Sequence, residues 1–196
     1  MKAIMLDMYG VILKQTGEDF VPYVHQTFPK LSREEIYEPW LKADIGEIAS
    51  LELWKTIGYQ GNLEKVEKDY LDTLELNDDF LRFIQSVQGK YKLAIISNDS
   101  SEWSKYIREK FDINKYFDVI SISGDLKIKK PDERIFRYTI EKLGVSAKDC
   151  IFVDDIARNL IAAEKLGIKA ILLNSRNISY DGLTVNNFEE LAEKIL

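Results

Sequence analysis

With one cysteine and one histidine in 196 residues, several classes of chemistry are disfavoured before any motif is read. A lone Cys150 excludes an internal disulfide and a cysteine-rich zinc site. Its setting in the apolar run Asp149-Cys-Ile-Phe-Val reads as a buried, inert thiol. A lone His25 argues against histidine-centred triads and multi-histidine metal sites; within Phe20-Val-Pro-Tyr-Val-His it reads as a packing or surface position on a helix. A basic surplus is also missing, since 27 lysines and arginines against 33 aspartates and glutamates leave a formal charge of −6. That balance disfavours nucleic acid or an acidic membrane as the main partner, because phosphates are neutralised by cations. No window of about 18 uncharged apolar residues is present to span a bilayer. The first apolar stretch is interrupted by Asp7, unlike a secretory leader. A cytoplasmic protein is expected.

What the chain does contain is rhythm. Five short apolar runs recur: Ala3–Leu6, Leu93–Ile96, Val119–Ile122, Ile151–Val153 and Ala170–Leu173. Each has strand length without lasting alternation, as parallel strands buried on both faces do. Helical spacing fills the gaps between the later four, over Trp103 to Phe111, Ile135 to Leu143 and Leu160 to Leu166, the last closed by Gly167. Asn187-x-x-Glu190 opens a final helix in capping-box style. Alternating strand and helix predict an α/β fold: a doubly wound, Rossmann-like parallel sheet of five strands. Between the first two strands the rhythm breaks. Residues 17–87 hold only helical patterns, opened by Ser32-x-x-Glu35, Ser50, Asn62 and Asn77. We read this segment as a helical cap over a discontinuous core of residues 1–16 and 88–196. An insertion after the first strand would cover the carboxyl ends of the sheet, where such folds bind ligands.

Asp7, Ser97 and the pair Asp154-Asp155 each follow an apolar strand immediately, so all emerge on one edge of a parallel sheet. Any one of them alone reads as a turn residue. Jointly they point to chemistry. With Lys130 in Lys129-Lys130-Pro131-Asp132, they resemble the motifs of the haloacid dehalogenase-like hydrolase superfamily, and the resemblance covers essentially the whole chain. The cap segment Gly46-Glu-Ile-Ala-Ser-Leu-Glu-Leu-Trp54 and Phe152-Val-Asp-Asp-Ile-Ala-Arg-Asn159 look most like the phosphatase branch that includes the N-terminal domain of soluble epoxide hydrolase.

The resemblance implies Asp7 as nucleophile and Ser97, with Asn98, as binders of the transferred phosphoryl group. Lys130 would pair with that group and with the nucleophile. A magnesium ion (Mg2+) would be held by Asp7, the backbone carbonyl of Tyr9 and Asp155, with Asp154 behind it. The implied substrate is a small phosphate ester, attacked to give a phospho-aspartyl intermediate.

Position 9 departs from that pattern. Most phosphatases of the superfamily read Asp-x-Asp, the second Asp serving as general acid and base, whereas here it is Tyr9. A phenol with a pKa near 10 is a poor base at neutral pH, although it can donate a proton or a hydrogen bond. Slow turnover is expected unless another group supplies the base. L-2-haloacid dehalogenases of the same superfamily read Asp-x-Tyr-Gly and use no metal, so Tyr9 argues for their chemistry; Asp154-Asp155 argues against it, because unneutralised carboxylates would repel an acid substrate. That branch holds its substrate with a cap arginine, for which Lys42 is a conceivable substitute. A third alternative is a phosphate-binding or regulatory protein with weakened turnover.

Blander readings apply to several neighbours. Asn98 or Asp99 is expected to cap the helix after Ser97, and Lys130-Pro131 is equally readable as a helix start. Lys127 and Lys129 read as solvated, Trp40 and Trp54 as cap core. Asn159, four residues after Asp155, either supports the acidic pair or packs locally.

Overall fold

A computed structural model describes residues 2–196. Strand β1 (Ala3–Leu6) is followed by five helices, α1 (Phe20–Thr27), α2 (Arg33–Asp44), α3 (Ser50–Thr56), α4 (Leu63–Asp72) and α5 (Phe80–Val87). Strand–helix alternation then begins with β2 (Lys92–Ser97), α6 (Ser101–Lys110), β3 (Val119–Ile122), α7 (Ser123–Leu126) and α8 (Glu133–Leu143). It ends with β4 (Cys150–Asp154), α9 (Ala157–Glu164), β5 (Lys169–Leu173), β6 (Leu183–Val185) and α10 (Phe188–Ile195). Among the described residues no helix is long and apolar enough to cross a membrane.

The sheet is parallel throughout, in the order β3-β2-β1-β4-β5-β6. It has six strands where the apolar runs predict five. The extra strand, Leu183-Thr-Val, is three residues long and only Val185 is buried. A half-exposed edge strand of that length leaves no apolar run to detect. Strand order reverses between β1 and β4, so their carboxyl ends flank the crevice in which doubly wound folds place ligands.

Period-two alternation sends the side chains of each strand to opposite faces. Ile4, Leu6, Leu93, Ile95, Val153 and Ile171 meet Trp103, Ile107, Phe188 and Leu191 on one face. Met5, Ala94, Ile96, Phe152 and Leu172 meet Ile135, Phe136, Leu160 and Ala163 on the other. Both faces are dry, which is why the runs are continuously apolar.

The helices between β1 and β2 are bound to this core by aromatic packing and by α6. Phe20 and Tyr70 each stack within 5.2 Å of Trp103. The Trp103 indole donates to Glu67 at 2.7 Å, and the Lys110 ammonium donates to the carbonyls of Leu71, Asp72 and Leu74 at the end of α4. Helix α5 instead packs on α10, through Phe80 and Phe83 against Phe188.

A second tie runs from the end of α2 to α7. Ser123 Oγ donates to the Asp44 carbonyl and accepts from the Asp99 amide, while Lys127 Nζ donates to the Gly46 carbonyl. Lys127, exposed as expected of a solvated cation, is also a cross-brace. Gly46 has φ +62°, and a Cβ there would lie 2.4 Å from the Gly124 carbonyl oxygen. Backbone cannot yield as a side chain can. Gly46→Ala is expected to cost about 1–3 kcal/mol through the left-handed backbone and this clash, read as a lower urea midpoint; an unchanged midpoint would contradict the tie.

Candidate active site

The turn after β1 places Asp7 beside the end of β4, with its amide bonded to the Val153 carbonyl at 2.9 Å. Asp7, Asp154 and Asp155 each present a carboxylate oxygen within 4.8 Å of the others, and all three are buried. Lys130, 2 % exposed, reaches between them: its ammonium lies 2.8 Å from Asp7 and 2.7 Å from Asp154. Asn98 fixes that lysine by a reciprocal pair, accepting from the Lys130 amide at 2.8 Å and donating to its carbonyl at 2.9 Å. Helix α6 is capped by neither Asn98 nor Asp99 but by Ser100, whose Oγ accepts from the Trp103 amide. Asn98 is thereby free for its bonds to Lys130.

Asn159 donates to both oxygens of Asp154, at 3.2 and 3.1 Å, so it supports the acidic pair. Asp154 is thus saturated by Lys130, Asn159 and the Ile156 amide. Asp155 differs. One oxygen bonds Arg176, from the loop after β5, and the other, Oδ1, is buried with no partner among the described residues. Ser97 lies fully buried at the end of β2, its hydroxyl likewise unpartnered.

A cavity of about 320 Å³ opens on this cluster, lined among others by Trp40, Asp44, Arg158 and Arg176. Trp40 packs on Phe20 and also forms cavity wall; Lys129, expected to be solvated, lines the cavity too. Lys42 does not. It pairs with Glu38 at 3.0 Å and borders a separate surface groove. Arg176 lies far in sequence from any motif, and Asp44, two residues before the Gly46–Trp54 segment, has nothing in its local pattern to set it apart; the fold brings both to the cavity that Asp7 lines. Cys150 is buried, with burial raising its thiol pKa to about 11, as expected of an inert group.

The electrostatics are those of a buried carboxylate cluster. Burial pushes the Asp7 carboxyl well above the usual carboxylate range; Lys130 opposes the rise, while Asp154 and Asp155 reinforce it. Asp155 is raised by burial and by Asp154, with Arg176 in opposition. Burial alone would lower the Lys130 ammonium, but Asp154 and Asp7 raise it. Lys130 and Arg176 pair directly with the three carboxylates, and Lys129 and Arg158 line the same cavity. An oxygen-only donor set with one orphaned buried oxygen suits a hard divalent ion such as magnesium.

Tyr9 lines the cavity, but its hydroxyl is buried without a partner among the described residues. Burial, then the nearby Asp99, raises that phenol well above its ordinary value. It is no base at neutral pH. Asp44 behaves differently, for burial raises its pKa to about 7 with only Lys129 opposing. The sign of the stability effect follows from a folded pKa above the ordinary 3.8: folding favours the protonated form, and its stabilisation is lost as pH rises from about 4 through 7. Asp44→Asn is therefore expected to be more stable than wild type at pH 8 by a few kcal/mol, at roughly 1.4 kcal/mol per unit. The gain should vanish towards pH 4. Urea unfolding at the two pH values checks it; a destabilised variant at pH 8 would contradict the burial of an acid there.

A parallel sheet thus carries a buried carboxylate cluster at its switch point. The chain belongs to the haloacid dehalogenase-like hydrolases, whose family model matches residues 1–167, and it is a hydrolase of that family. It is 26% identical to a phosphoglycolate phosphatase from Aquifex aeolicus, over 88% of this chain and 84% of that protein. It is 32% identical to an (S)-2-haloacid dehalogenase from Burkholderia cepacia, over 43% of this chain and 36% of that one. A 25% match to drimenol cyclase from Aspergillus calidoustus covers 98% of this chain but only 38% of the cyclase's length. Among solved structures, a HAD phosphatase from Thermococcus onnurineus superposes with a TM-score of 0.74 at 23% identity, covering 100% of this chain and 98% of that one. A HAD family enzyme from Bacteroides thetaiotaomicron, solved with magnesium and inorganic phosphate, gives 0.75 at 22% identity, over 87% and 92%. These structural likenesses establish the fold.

Proposed function

We propose that this hydrolase is a magnesium-dependent phosphatase of small phosphate esters, working through a phospho-aspartyl intermediate on Asp7. The observation that carries the reading is the cluster itself: three buried carboxylates within 4.8 Å, bridged by Lys130, with an orphaned oxygen on Asp155. Asp7, Asp155 and the Tyr9 carbonyl would hold the ion, with Asp154 orienting Lys130 behind them. Bound there, magnesium supplies the charge that lets a phosphate dianion approach a carboxylate. The helices of residues 17–87 act as the cap that closes the cavity over the substrate.

The remaining steps belong to the chain. Asp7 Oδ attacks phosphorus, and Lys130, fixed by Asn98, stays beside the transferred group and its developing charge. The Ser97 hydroxyl, buried at the end of β2 behind the lining of the cavity, has no partner among the described residues and is the donor assigned to a phosphoryl oxygen. Relatives that include a phosphoglycolate phosphatase support this chemistry. The test is phosphate release from a panel of small monoesters with magnesium. Release that stops on adding EDTA is expected, and none from any ester would contradict the reading.

Haloacid hydrolysis is the second reading, favoured by Tyr9 and by the dehalogenase relative. Lys42, the substitute for a carboxylate-binding arginine, borders a different groove, which weakens it. Halide release unaffected by EDTA would distinguish it.

A further inference from the structure

Resting on the phosphatase reading, we propose that Asp44, at the end of α2, is the general acid and base that position 9 lacks. The carboxyl comes from the inserted helices but lines the same cavity as Asp7. It is 6 % exposed, and among the described residues its side chain has no hydrogen bond or ion pair, only the field of Lys129. That leaves it free to meet a substrate oxygen. Its backbone is held from the core, because Ser123 Oγ bonds the Asp44 carbonyl while receiving the Asp99 amide, and Lys127 bonds the Gly46 carbonyl two residues on. The carboxyl is thus delivered by one part of the chain and positioned by another.

Its surroundings suit proton transfer in both directions. Lys129 is the cation facing it, and Asp99, Tyr9 and Tyr70 are the other ionisable groups whose fields it shares. With its pKa raised to about 7, both protonation states are populated at neutral pH, as a group that must give and then take a proton requires. The competitors are less suited. Tyr9 and Asp99 are both held well above their ordinary values by burial, and Asp99 does not line the cavity. Glu18 lines it, but its carboxylate is paired with Arg33 and, at 3.9 Å, with Arg176.

The proton balance closes over two steps. As Asp7 forms its bond to phosphorus and the ester P–O bond breaks, the Asp44 proton passes to the leaving alkoxide, which departs as the alcohol. The Asp44 carboxylate then takes a proton from the water that attacks phosphorus. The bond to Asp7 breaks, inorganic phosphate leaves, and Asp44 is protonated again.

The test compares Asp44→Asn with wild type on an alkyl phosphate and on p-nitrophenyl phosphate, whose leaving group needs no proton. Alkyl phosphate turnover is expected to fall ~10²–10⁴-fold. With p-nitrophenyl phosphate the variant should release a burst of nitrophenolate close to one per enzyme, then stall with phosphate covalently on Asp7, seen by intact mass after acid quench. Asp44→Ser, smaller and uncharged, should give the same split. Equal losses on both esters without a burst, or no loss at all, would overturn the assignment, since a structural role does not sort substrates by leaving group. Wild type that releases phosphate from neither ester would instead overturn the phosphatase reading on which it rests.

Discussion

Asp7→Asn is expected to abolish turnover and, with it, every trace of covalent phosphoenzyme. Removal of a nucleophile that acts as part of a unit costs on the order of 10⁴–10⁶-fold, because the remaining groups bind without reacting. The geometry makes the expectation specific to this carboxylate. Asp154 is occupied by Lys130 and Asn159, and Asp155, held by Arg176 through one oxygen, would commit its other oxygen to the metal ion, so neither is placed to take over the attack. Asparagine keeps the shape of the turn after β1 and its bond from the Met8 amide. A variant that folds like wild type yet is inert isolates the chemistry. Turnover within tenfold of wild type would remove the nucleophile assignment.

Lys130→Met carries the largest expected effect on stability. Its ammonium is buried between Asp7 and Asp154, and methionine would leave these two carboxylates without their cation, facing one another and Asp155, with Arg176 paired only to the last. Breaking a buried pair from one side costs about 3–5 kcal/mol, far more than the pair contributes over an apolar replacement. The loss should depend on pH in a definite sense. Asp7 and Asp155 already lie above the ordinary carboxylate range, so protonation relieves the repulsion, and the penalty shrinks as pH falls. Magnesium, binding only the folded state, should restore part of it. Urea unfolding at pH 8 and pH 5, with and without the ion, reads both effects. A penalty independent of pH and of magnesium would mean that the carboxylates do not share charge through Lys130.

Much of this arrangement is legible in the sequence because it depends on local pattern. A strand buried on both faces must be continuously apolar, so β1 to β5 announce themselves, and a polar residue directly after each must lie at the carboxyl edge. Asp7, Ser97 and Asp154-Asp155 are placed at that edge by sequence pattern alone. Pattern fails where the determinant is tertiary. Strand β6 is too short and too exposed to leave a pattern. Arg176 sits in a loop with no periodicity, and its bond to Asp155 depends on β5 lying beside β4. Asp44 reads as one more acidic residue in a polar helix end; only its burial against α7 makes it distinctive. Lys127 and Lys129 look alike in sequence, yet one braces Gly46 and the other lines the cavity.

The choice between phosphorus and carbon as the site of attack rests on one comparison. Purified protein is given p-nitrophenyl phosphate in one vessel and 2-chloropropionate in another, each with magnesium and with EDTA. The carboxylate cluster predicts phosphate release that needs magnesium and no chloride under either condition. Chloride release undiminished by EDTA, without phosphate release, would show that Tyr9 was the better guide and that Asp7 attacks carbon.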